Sequence, residues 1–153
     1  MTMENNIDRF NIRVYGLVIN KMKEVLIADE FVLNRKMTKF PGGGLEFGEG
    51  PADCIKREAM EEFGQEIEIK QHFYTTEFFQ KSLFSANHQL ISIYYIIDFT
   101  EPVRFKISEK PFDFELKNGA ISFRWEKIEK LSIEDLSFPV DQHVLSLLKK
   151  KFR

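Results

Sequence analysis

The chain is 153 residues long, with 43% hydrophobic and 30% charged residues, a balance typical of a soluble globular protein. The length predicts one domain over residues 1–153 with a substantial core, and the formal net charge of −2 argues against bulk nucleic acid as the main partner. The one cysteine excludes an internal disulfide and favours a cytoplasmic location, and because no apolar run is long enough to span a bilayer, we expect no membrane partner.

The first predicted elements are two strands. Apolar side chains occupy both alternating faces of Phe10 to Asn20, which predicts a central strand. A polar turn separates it from Glu24 to Asp29, a second β pattern that we expect to complete a hairpin with the first. The next segment, Phe31 to Phe40, predicts an irregular connection. It carries three cations just before a run of glycines, namely Arg35, Lys36 and Lys39.

The most informative segment runs from Pro41 to Ile67, where a glycine-rich loop leads into an acidic helix. Pro51 suits the first turn of a helix, and Asp53 in the same turn is favourably placed at the positive end of the helix dipole. Gly64 supplies a C-terminal stop. The glycines before the helix allow the backbone to approach a ligand closely.

Three glutamates on this helix, Glu58, Glu61 and Glu62, have the i, i+3, i+4 spacing that places side chains on one face. Carboxylates one turn apart repel each other, and a helix that needed only solubility would interleave lysines at this spacing. Cations bound among the carboxylates would account for the pattern, and all-oxygen ligands favour Mg²⁺ or Mn²⁺ over zinc. Taken alone, such a string is more often a solvated acidic face, so the assignment depends on the loop as well.

The loop and helix together resemble the Nudix box, G-x5-E-x7-R-E-U-x-E-E-x-G-U, in which U is a bulky aliphatic residue. Residues 43–65 match, in register, all the specified positions of the box except the aliphatic ones. Such a match is expected by chance on the order of once in a hundred million starting positions. Ala59 and Gln65 depart from the two aliphatic positions without touching the chemistry. The matching residues are Gly43, Glu49, Arg57, Glu58, Glu61, Glu62 and Gly64.

The resemblance implies an activity and a set of roles. Nudix enzymes hydrolyse a nucleoside diphosphate linked to another moiety, with water attacking phosphorus and metal ions bridging the phosphate oxygens. Mg²⁺ is the implied ion, with Mn²⁺ as the alternative. The implied metal ligands are the carboxylates of Glu58, Glu61 and Glu62, which also form the catalytic group, and the backbone carbonyl of Gly43. The residues implied to tie the box together are Glu49, Arg57 and Gly64.

Substrate binding is predicted around the glycine run. Arg35, Lys36 and Lys39 would form a basic lip that attracts substrate phosphates, with Arg35 and Lys39 assigned to substrate binding, although a solvated loop explains the same cations equally well. Gly42 and Gly44 would let the backbone approach the substrate. Aromatic residues that could stack on a base, and that core packing explains equally well, are Phe10, Tyr15, Phe79 and Tyr94.

Strands continue after the box. Glu66 to Lys70 alternates in polarity, and Phe73 to Phe79 extends the β pattern. Gln89 to Phe99 is the most strongly β segment of the chain, and we expect it to pair with the preceding run as a hairpin. Val103 to Ile107 predicts a short strand, and Ile121 to Trp125 predicts the last one.

Two helices are predicted near the C-terminus. Ser132 can cap a short helix, and Pro139 can open a final one. The apolar stripe expected on the final helix is Val140, Val144, Leu147 and Leu148. Mixed strands with one helix in the middle and another at the end predict an α/β/α sandwich. The Nudix resemblance implies the same fold, with a mixed β-sheet, the loop-helix box and a C-terminal helix.

The general base is the least determined part of the site. Many Nudix enzymes use a further glutamate from a loop before the last strand, and the predicted loop from Ser108 to Asn118 offers Glu109 and Glu115. Glu115 is nearer the last strand and is the residue we assign, although it lies farther upstream than the family pattern. Glu61 or Glu62 could serve instead, because a base needs only to reach the attacking water.

Three functions are compatible with these residues. The first is metal-dependent hydrolysis of the pyrophosphate bond in a small nucleotide derivative. The second is a catalytically silent nucleotide- or metabolite-binding module of the same fold, against which the intact box argues. The third is a pyrophosphohydrolase acting on the 5′ end of RNA, which the acidic balance disfavours. If the chain assembles, we expect a homodimer.

Overall fold

The computed structural model describes residues 6–152. The strands and helices used below are, in chain order, β1 (Arg9–Val18), β2 (Glu24–Val32), β3 (Arg35–Lys39), β4 (Gly42–Gly44), α1 (Pro51–Phe63), β5 (Ile67–Thr75), β6 (His88–Phe99), β7 (Ala120–Lys127), a short 3-10 helix (Ile133–Asp135) and α2 (Pro139–Lys151). The 3-10 helix follows Ser132, as predicted. Neither α1 nor α2 is long and apolar enough to cross a membrane.

The strands form two sheets, ordered β4-β1-β6-β5 and β3-β2-β7. β1 runs parallel to β6 and antiparallel to β4, so the first sheet is mixed, as predicted. β5 and β6 pair antiparallel, which confirms the hairpin expected after the box. The β pattern was predicted to extend to Phe79, but β5 ends at Thr75, so that part of the prediction is wrong.

β1 and β2 do not form the predicted hairpin. They share an isolated bridge between Ile19 and Val25, and beyond it they belong to different sheets. Each strand has neighbours on both edges, β1 in β4 and β6 and β2 in β3 and β7. Because those neighbours already satisfy the backbone hydrogen bonds of both strands, β1 and β2 diverge from their turn, and a cavity lies between them.

A helix covers each apolar face of the strands. On β1, Val14 and Val18 belong to one buried cluster with α1, whereas Tyr15 and Leu17 belong to another with α2. The members from α1 are Cys54, Ile55, Ala59 and Phe63, and those from α2 are Val140, Val144, Leu145 and Leu148. Full burial of each large aliphatic side chain contributes roughly 1.5–3 kcal/mol. These layers confirm the predicted α/β/α sandwich. Of the apolar stripe predicted on α2, Leu147 is only partly buried.

Both helices begin at the predicted proline. α1 starts at Pro51, and the N–H of Gly50 donates to Asp53 Oδ2 at 2.9 Å, which fixes the first turn. It ends before Gly64, whose φ of 66° turns the chain away from the helix. α2 starts at Pro139. The position of α1 directly after the glycine loop is what places the box glutamates next to β4.

The prediction of an irregular connection from Phe31 to Phe40 is wrong, because this segment contains β3. β3 pairs antiparallel with β2 across a turn at Leu33 and Asn34, whose φ values are 51° and 61°. The ladder with β2 satisfies the backbone of a strand whose own composition, Arg-Lys-Met-Thr-Lys, has little β character. This strand delivers Lys39 to the start of the glycine run.

The prediction of a strand from Val103 to Ile107 is also wrong, since no strand lies between β6 and β7 in the part of the chain that the structure describes. Phe105 and Ile107 pack against the cluster beneath α1, but the backbone there is bound by a side chain instead of a neighbouring strand. Gln65 accepts a hydrogen bond from the N–H of Arg104 at 2.7 Å through Oε1, and its Nε2 donates to the carbonyl of Pro102 at 3.1 Å. Gln65, at an aliphatic position of the box, therefore anchors this loop.

Candidate active site

Arg57 on α1 fastens the glycine loop to the helix. Its Nε donates to Glu49 Oε2 at 3.0 Å and its Nη2 to Glu49 Oε1 at 2.7 Å, the bidentate arrangement that makes such pairs strong and directional. Nη2 also donates to the carbonyl oxygen of Gly44 at 3.0 Å. The Arg57 guanidinium, assisted by the N–H of Glu46, lowers the pKa of Glu49 to about 2, so this carboxylate stays charged.

Two glycines lie where the chain passes closest to other groups. Gly42 has a φ of 151°, and a β-carbon there would lie 2.1 Å from the carbonyl oxygen of Val14. A β-carbon on Gly43 would lie 2.2 Å from Glu58 Oε1. Since real atoms do not approach so closely, only glycine allows β4 to lie against β1 and against the α1 carboxylate at once.

Arg57 also contacts two of the three glutamates on the acidic face of α1. Glu58, whose side chain is 15% exposed, accepts a hydrogen bond from Arg57 Nη1 at 3.1 Å. Glu61 is 58% exposed and lies 3.3 Å from the same nitrogen. One guanidinium therefore offsets part of the repulsion that the spacing of these acids creates.

Glu62 is the third glutamate on this face, and its carboxyl group is partly buried. Burial raises its pKa to about 7, with the charge of Lys39 opposing the shift and the charges of Glu58 and Glu30 adding to it. A half-buried acid among other acids costs free energy when ionised, and a bound cation would remove that cost. The surroundings of Glu62 therefore suit a site that gains positive charge from a ligand.

The donor chemistry of this face fits a hard divalent cation. Its oxygens belong to carboxylates and to the backbone of Gly43, which are ligands preferred by Mg²⁺ and Mn²⁺. The side chains are not gathered, since residues 6–152 contain no group of three or more His, Cys, Asp or Glu side chains arranged to hold a metal. Arg57 instead contacts Glu58 and Glu61.

A cavity of about 210 Å³ lies where β1 and β2 diverge. Tyr15 from β1 and Tyr94 from β6 form an aromatic wall, with ring centroids 5.1 Å apart. The loop before β6 and the start of α2 close the other sides. The chemically distinctive lining residues are Arg13, Glu30, Lys39, Phe84, Phe138 and Asp141. Aromatic walls with a few polar groups are typical of small-molecule sites.

The polar end of the cavity brings two cations to the glycine loop. Lys39 is buried, and its Nζ lies 3.4 Å from Glu30 Oε2 and 3.5 Å from the carbonyl oxygen of Gly42. Arg13 approaches from β1, and a β-carbon on Gly44 would lie 3.3 Å from its Nη1. Both cations therefore stand at the boundary between the cavity and the loop that precedes α1.

Asp141 is a buried acid in the cavity wall. Its Oδ1 accepts a hydrogen bond from the hydroxyl of Tyr94 at 2.5 Å, and its Oδ2 accepts one from the N–H of Phe40 at 3.3 Å. Burial raises the pKa of Asp141 to about 6, although these two hydrogen bonds act in the opposite direction. The cavity therefore contains a carboxyl group whose charge depends on pH near neutrality.

The structure separates the residues predicted to bind phosphate. Lys39 lines the cavity, and Gly42 and Gly44 form β4 beside it. Arg35 is exposed at the start of β3. Glu115 is exposed in the loop before β7, and its role as general base stays a prediction.

The aromatic residues predicted to stack on a base also divide into two groups. Tyr15 and Tyr94 line the cavity. Phe10 and Phe79 are 68% and 53% exposed and are not among the residues that line it. Of these four aromatic residues, the two tyrosines are therefore the ones placed to contact a ligand in this cavity.

Three charged residues of the cavity were missed from the sequence: Arg13, Glu30 and Asp141. Arg13 is a charged residue next to Tyr15 on the same face of a strand predicted to be central, and a charge at such a position was a usable sign. Asp141 follows a proline at a helix start, where an acid is ordinary. Glu30 carried no local sign, because its position depends on the divergence of the strands.

Comparison with known proteins gives a consistent fold. A model of the NUDIX domain matches residues 9–147. Similar solved structures include a NUDIX hydrolase from Nitrosomonas europaea (TM-score 0.69, 17% identity, 95% of this chain and 92% of that one), the MutT protein from Methanosarcina mazei Go1 (0.64, 19%, 94% and 96%) and an ADP-ribose pyrophosphatase from Streptococcus suis 89-1591 (0.58, 12%, 94% and 92%). Such identities establish the fold alone. No curated protein matches the chain significantly.

Proposed function

This chain belongs to the Nudix family, whose members generally hydrolyse pyrophosphate bonds, and we propose that it cleaves a nucleoside diphosphate linked to another moiety, with Mg²⁺ or Mn²⁺. The observation that carries the proposal is the contact between the glycine loop and the acidic face of α1, where the backbone of Gly43 lies against the carboxylate of Glu58. Lys39, at the edge of the cavity, contacts the preceding glycine. Carboxylates for metal ions beside cationic side chains suit a pyrophosphate, which is a dense anion.

The residues that would hold the metal are Glu58, Glu61, Glu62 and Gly43, the last through its carbonyl oxygen. A bound divalent cation would neutralise charge on the phosphate oxygens and lower the pKa of a water molecule bound to it. The chain presents the three glutamate carboxylates on one face of α1. The bidentate pair of Arg57 and Glu49 holds the glycine loop at a fixed distance from that face.

Other residues of the site bind and orient the substrate. Lys39 attracts the phosphate chain, and Arg35 is a second, exposed cation on the same strand. The nucleoside part enters the cavity beside Tyr15 and Tyr94, where burial of its rings excludes water. Glu115 is the proposed general base, which takes a proton from the attacking water, with Glu61 or Glu62 as the alternative.

A substrate screen with matched variants tests the function. The wild-type protein is assayed with Mg²⁺ and Mn²⁺ on nucleoside triphosphates, sugar nucleotides, ADP-ribose and dinucleotides. For the substrate that is cleaved, Glu62→Gln should reduce kcat by roughly 100-fold or more, because a carboxylate that would hold the metal ion is lost. Glu66→Gln, at an exposed glutamate just beyond α1, is the control and should retain wild-type activity.

The same screen separates the competing functions. Unchanged turnover in the Glu62→Gln variant would refute the assignment of the acidic face. Nucleotide binding without turnover across the whole panel would identify a silent binding module. Preferential cleavage of triphosphorylated RNA over free nucleotides would identify an enzyme that acts on RNA ends.

A further inference from the structure

Arg13 is a charged residue on β1, outside both the acidic face of α1 and the strand that carries Lys39. It shares a strand face with Tyr15 and lines the cavity together with it. Its register partner on β4 is Gly44, and a β-carbon on Gly44 would lie 3.3 Å from Arg13 Nη1. The guanidinium of Arg13 therefore lies where the cavity meets the glycine loop.

Arg13 uses little of its hydrogen-bonding capacity within the protein. A guanidinium has five N–H donors, of which the Nε donor bonds the hydroxyl of Tyr15 at 3.3 Å, with the group 5.8 Å from the centroid of that ring. Arg57 and Arg124, the other arginines with little-exposed side chains in residues 6–152, both have bidentate contacts to a carboxylate. Arg13 has no ion-pair partner in that part of the chain.

The electrostatic surroundings keep Arg13 charged and in place. Burial lowers its pKa, but the hydrogen bond to Tyr15 and attraction to Glu58 and Glu30 more than offset burial, so the pKa is raised overall. Glu58 belongs to α1 and Glu30 to β2, so these attractions hold the guanidinium between the helix and the cavity. The planar fork of arginine matches two oxygens of a phosphate group.

We propose that Arg13 binds the phosphate attached to the nucleoside in the cavity. The inference rests on the pyrophosphohydrolase function proposed above. Lys39 reaches the same region from β3, but Glu30 and the carbonyl of Gly42 already engage its ammonium group. Arg13 has the open donors, and its contact would direct the phosphate chain toward α1 with the nucleoside beside Tyr15.

The test measures binding of product-like ligands instead of turnover. Isothermal titration with AMP, GMP, CMP and UMP is carried out with and without Mg²⁺, since a monophosphate has no pyrophosphate bond to be cut. The nucleotide that binds best is compared with its unphosphorylated nucleoside. Arg13→Gln should weaken the nucleotide about 10- to 100-fold and leave the nucleoside unchanged, because only the charged hydrogen bonds to phosphate are lost.

Two further variants make the measurement specific. Arg9→Gln removes an exposed arginine from the same face of β1, four positions earlier, and should bind the nucleotide as the wild type does. Arg13→Lys keeps the charge but loses the fork, and should lie between the wild type and Arg13→Gln. If Arg13→Gln does not fold, a loss of nucleotide but not nucleoside affinity in Arg13→Lys gives the same answer.

The outcomes distinguish this inference from the function on which it rests. Equal loss of nucleotide and nucleoside affinity, wild-type nucleotide affinity in Arg13→Gln, or no binding of any monophosphate to the wild type would each overturn the inference. Turnover in the substrate screen together with any of these results would leave the hydrolase function standing. Arg13-dependent binding without turnover of any substrate would support the phosphate contact and overturn the hydrolase.

Discussion

Tyr94 donates its hydroxyl hydrogen to Asp141 Oδ1 at 2.5 Å and thereby joins β6 to the first turn of α2 in the wall of the cavity. The N–H of Phe40 donates to the other oxygen, Oδ2, at 3.3 Å. A buried acid is thus held by a strand, by the helix that carries it and by Phe40, which lies two residues before the glycine run. Both bonds favour the charged form, but burial outweighs them.

The first prediction concerns stability as a function of pH. In the folded protein the pKa of Asp141 is raised from 3.8 to about 6, so its contribution to stability is complete below pH 3.8 and is lost as the pH rises through about 6. The amide introduced by Asp141→Asn cannot ionise. The free energy of unfolding of the wild type should therefore fall relative to that of this variant by roughly 2.5 kcal/mol between about pH 4 and about pH 8, as measured by urea denaturation.

Asp98→Asn provides the control for this measurement, because Asp98 is an exposed aspartate on β6. The difference in the free energy of unfolding between this variant and the wild type should change little over the same pH range. A constant offset between wild type and Asp141→Asn at every pH would show that Asp141 does not titrate differently in the folded and unfolded chains.

A second prediction concerns the buried ion pair that supports the second sheet. Asp29 on β2 is fully buried and accepts hydrogen bonds from Arg124 Nε at 2.7 Å and from Thr38 Oγ1 at 2.7 Å. It also accepts a bond from the N–H of Phe112, in the loop before β7, at 3.3 Å. Asp29→Asn leaves the Arg124 charge without its carboxylate and should reduce the free energy of unfolding by about 3–5 kcal/mol in urea.

The matched change for this prediction is Asp8→Asn, at an exposed aspartate whose side chain pairs with Arg9. It should alter the free energy of unfolding by no more than about 0.5 kcal/mol. Hydrogen exchange adds a local measurement, because the loop around Phe112 should exchange faster in Asp29→Asn. Wild-type stability in Asp29→Asn would show that Glu126, which also contacts Arg124, compensates for the lost partner.

The loop-helix box could be predicted because its geometry is local. The spacing of Glu58, Glu61 and Glu62 fixes a shared helix face whatever the rest of the chain does. Gly43 had to be glycine because it lies against Glu58, only 15 positions along the chain. The segment of β6 was equally readable, because it is rich in β-branched and aromatic residues along almost its whole length.

The cavity could not be predicted, because it depends on pairing between distant segments. β1 and β2 are joined by a short turn, and a hairpin is the natural reading of such a sequence. Instead β1 pairs in parallel with β6, with Tyr15 opposite Tyr94, and the resulting divergence brings Glu30 beside the site. β3 was missed for a related reason, since its polar residues become a strand only through the ladder with β2.

The last prediction tests the contact on which the proposed function depends. A β-carbon on Gly43 would lie 2.2 Å from Glu58 Oε1, so Gly43→Ala should displace the carboxylate and weaken Mn²⁺ binding about 10-fold or more, measured from the free-ion signal in electron paramagnetic resonance. Gly50→Ala is the control, because its β-carbon would meet Asp53 Oδ2 at an ordinary 3.5 Å. Equal Mn²⁺ affinity in the two variants would mean that the Gly43–Glu58 contact does not shape the metal site, and turnover should then be equal as well. If Gly43→Ala alone loses both, the close approach of loop and helix is what makes the acidic face of α1 a binding site.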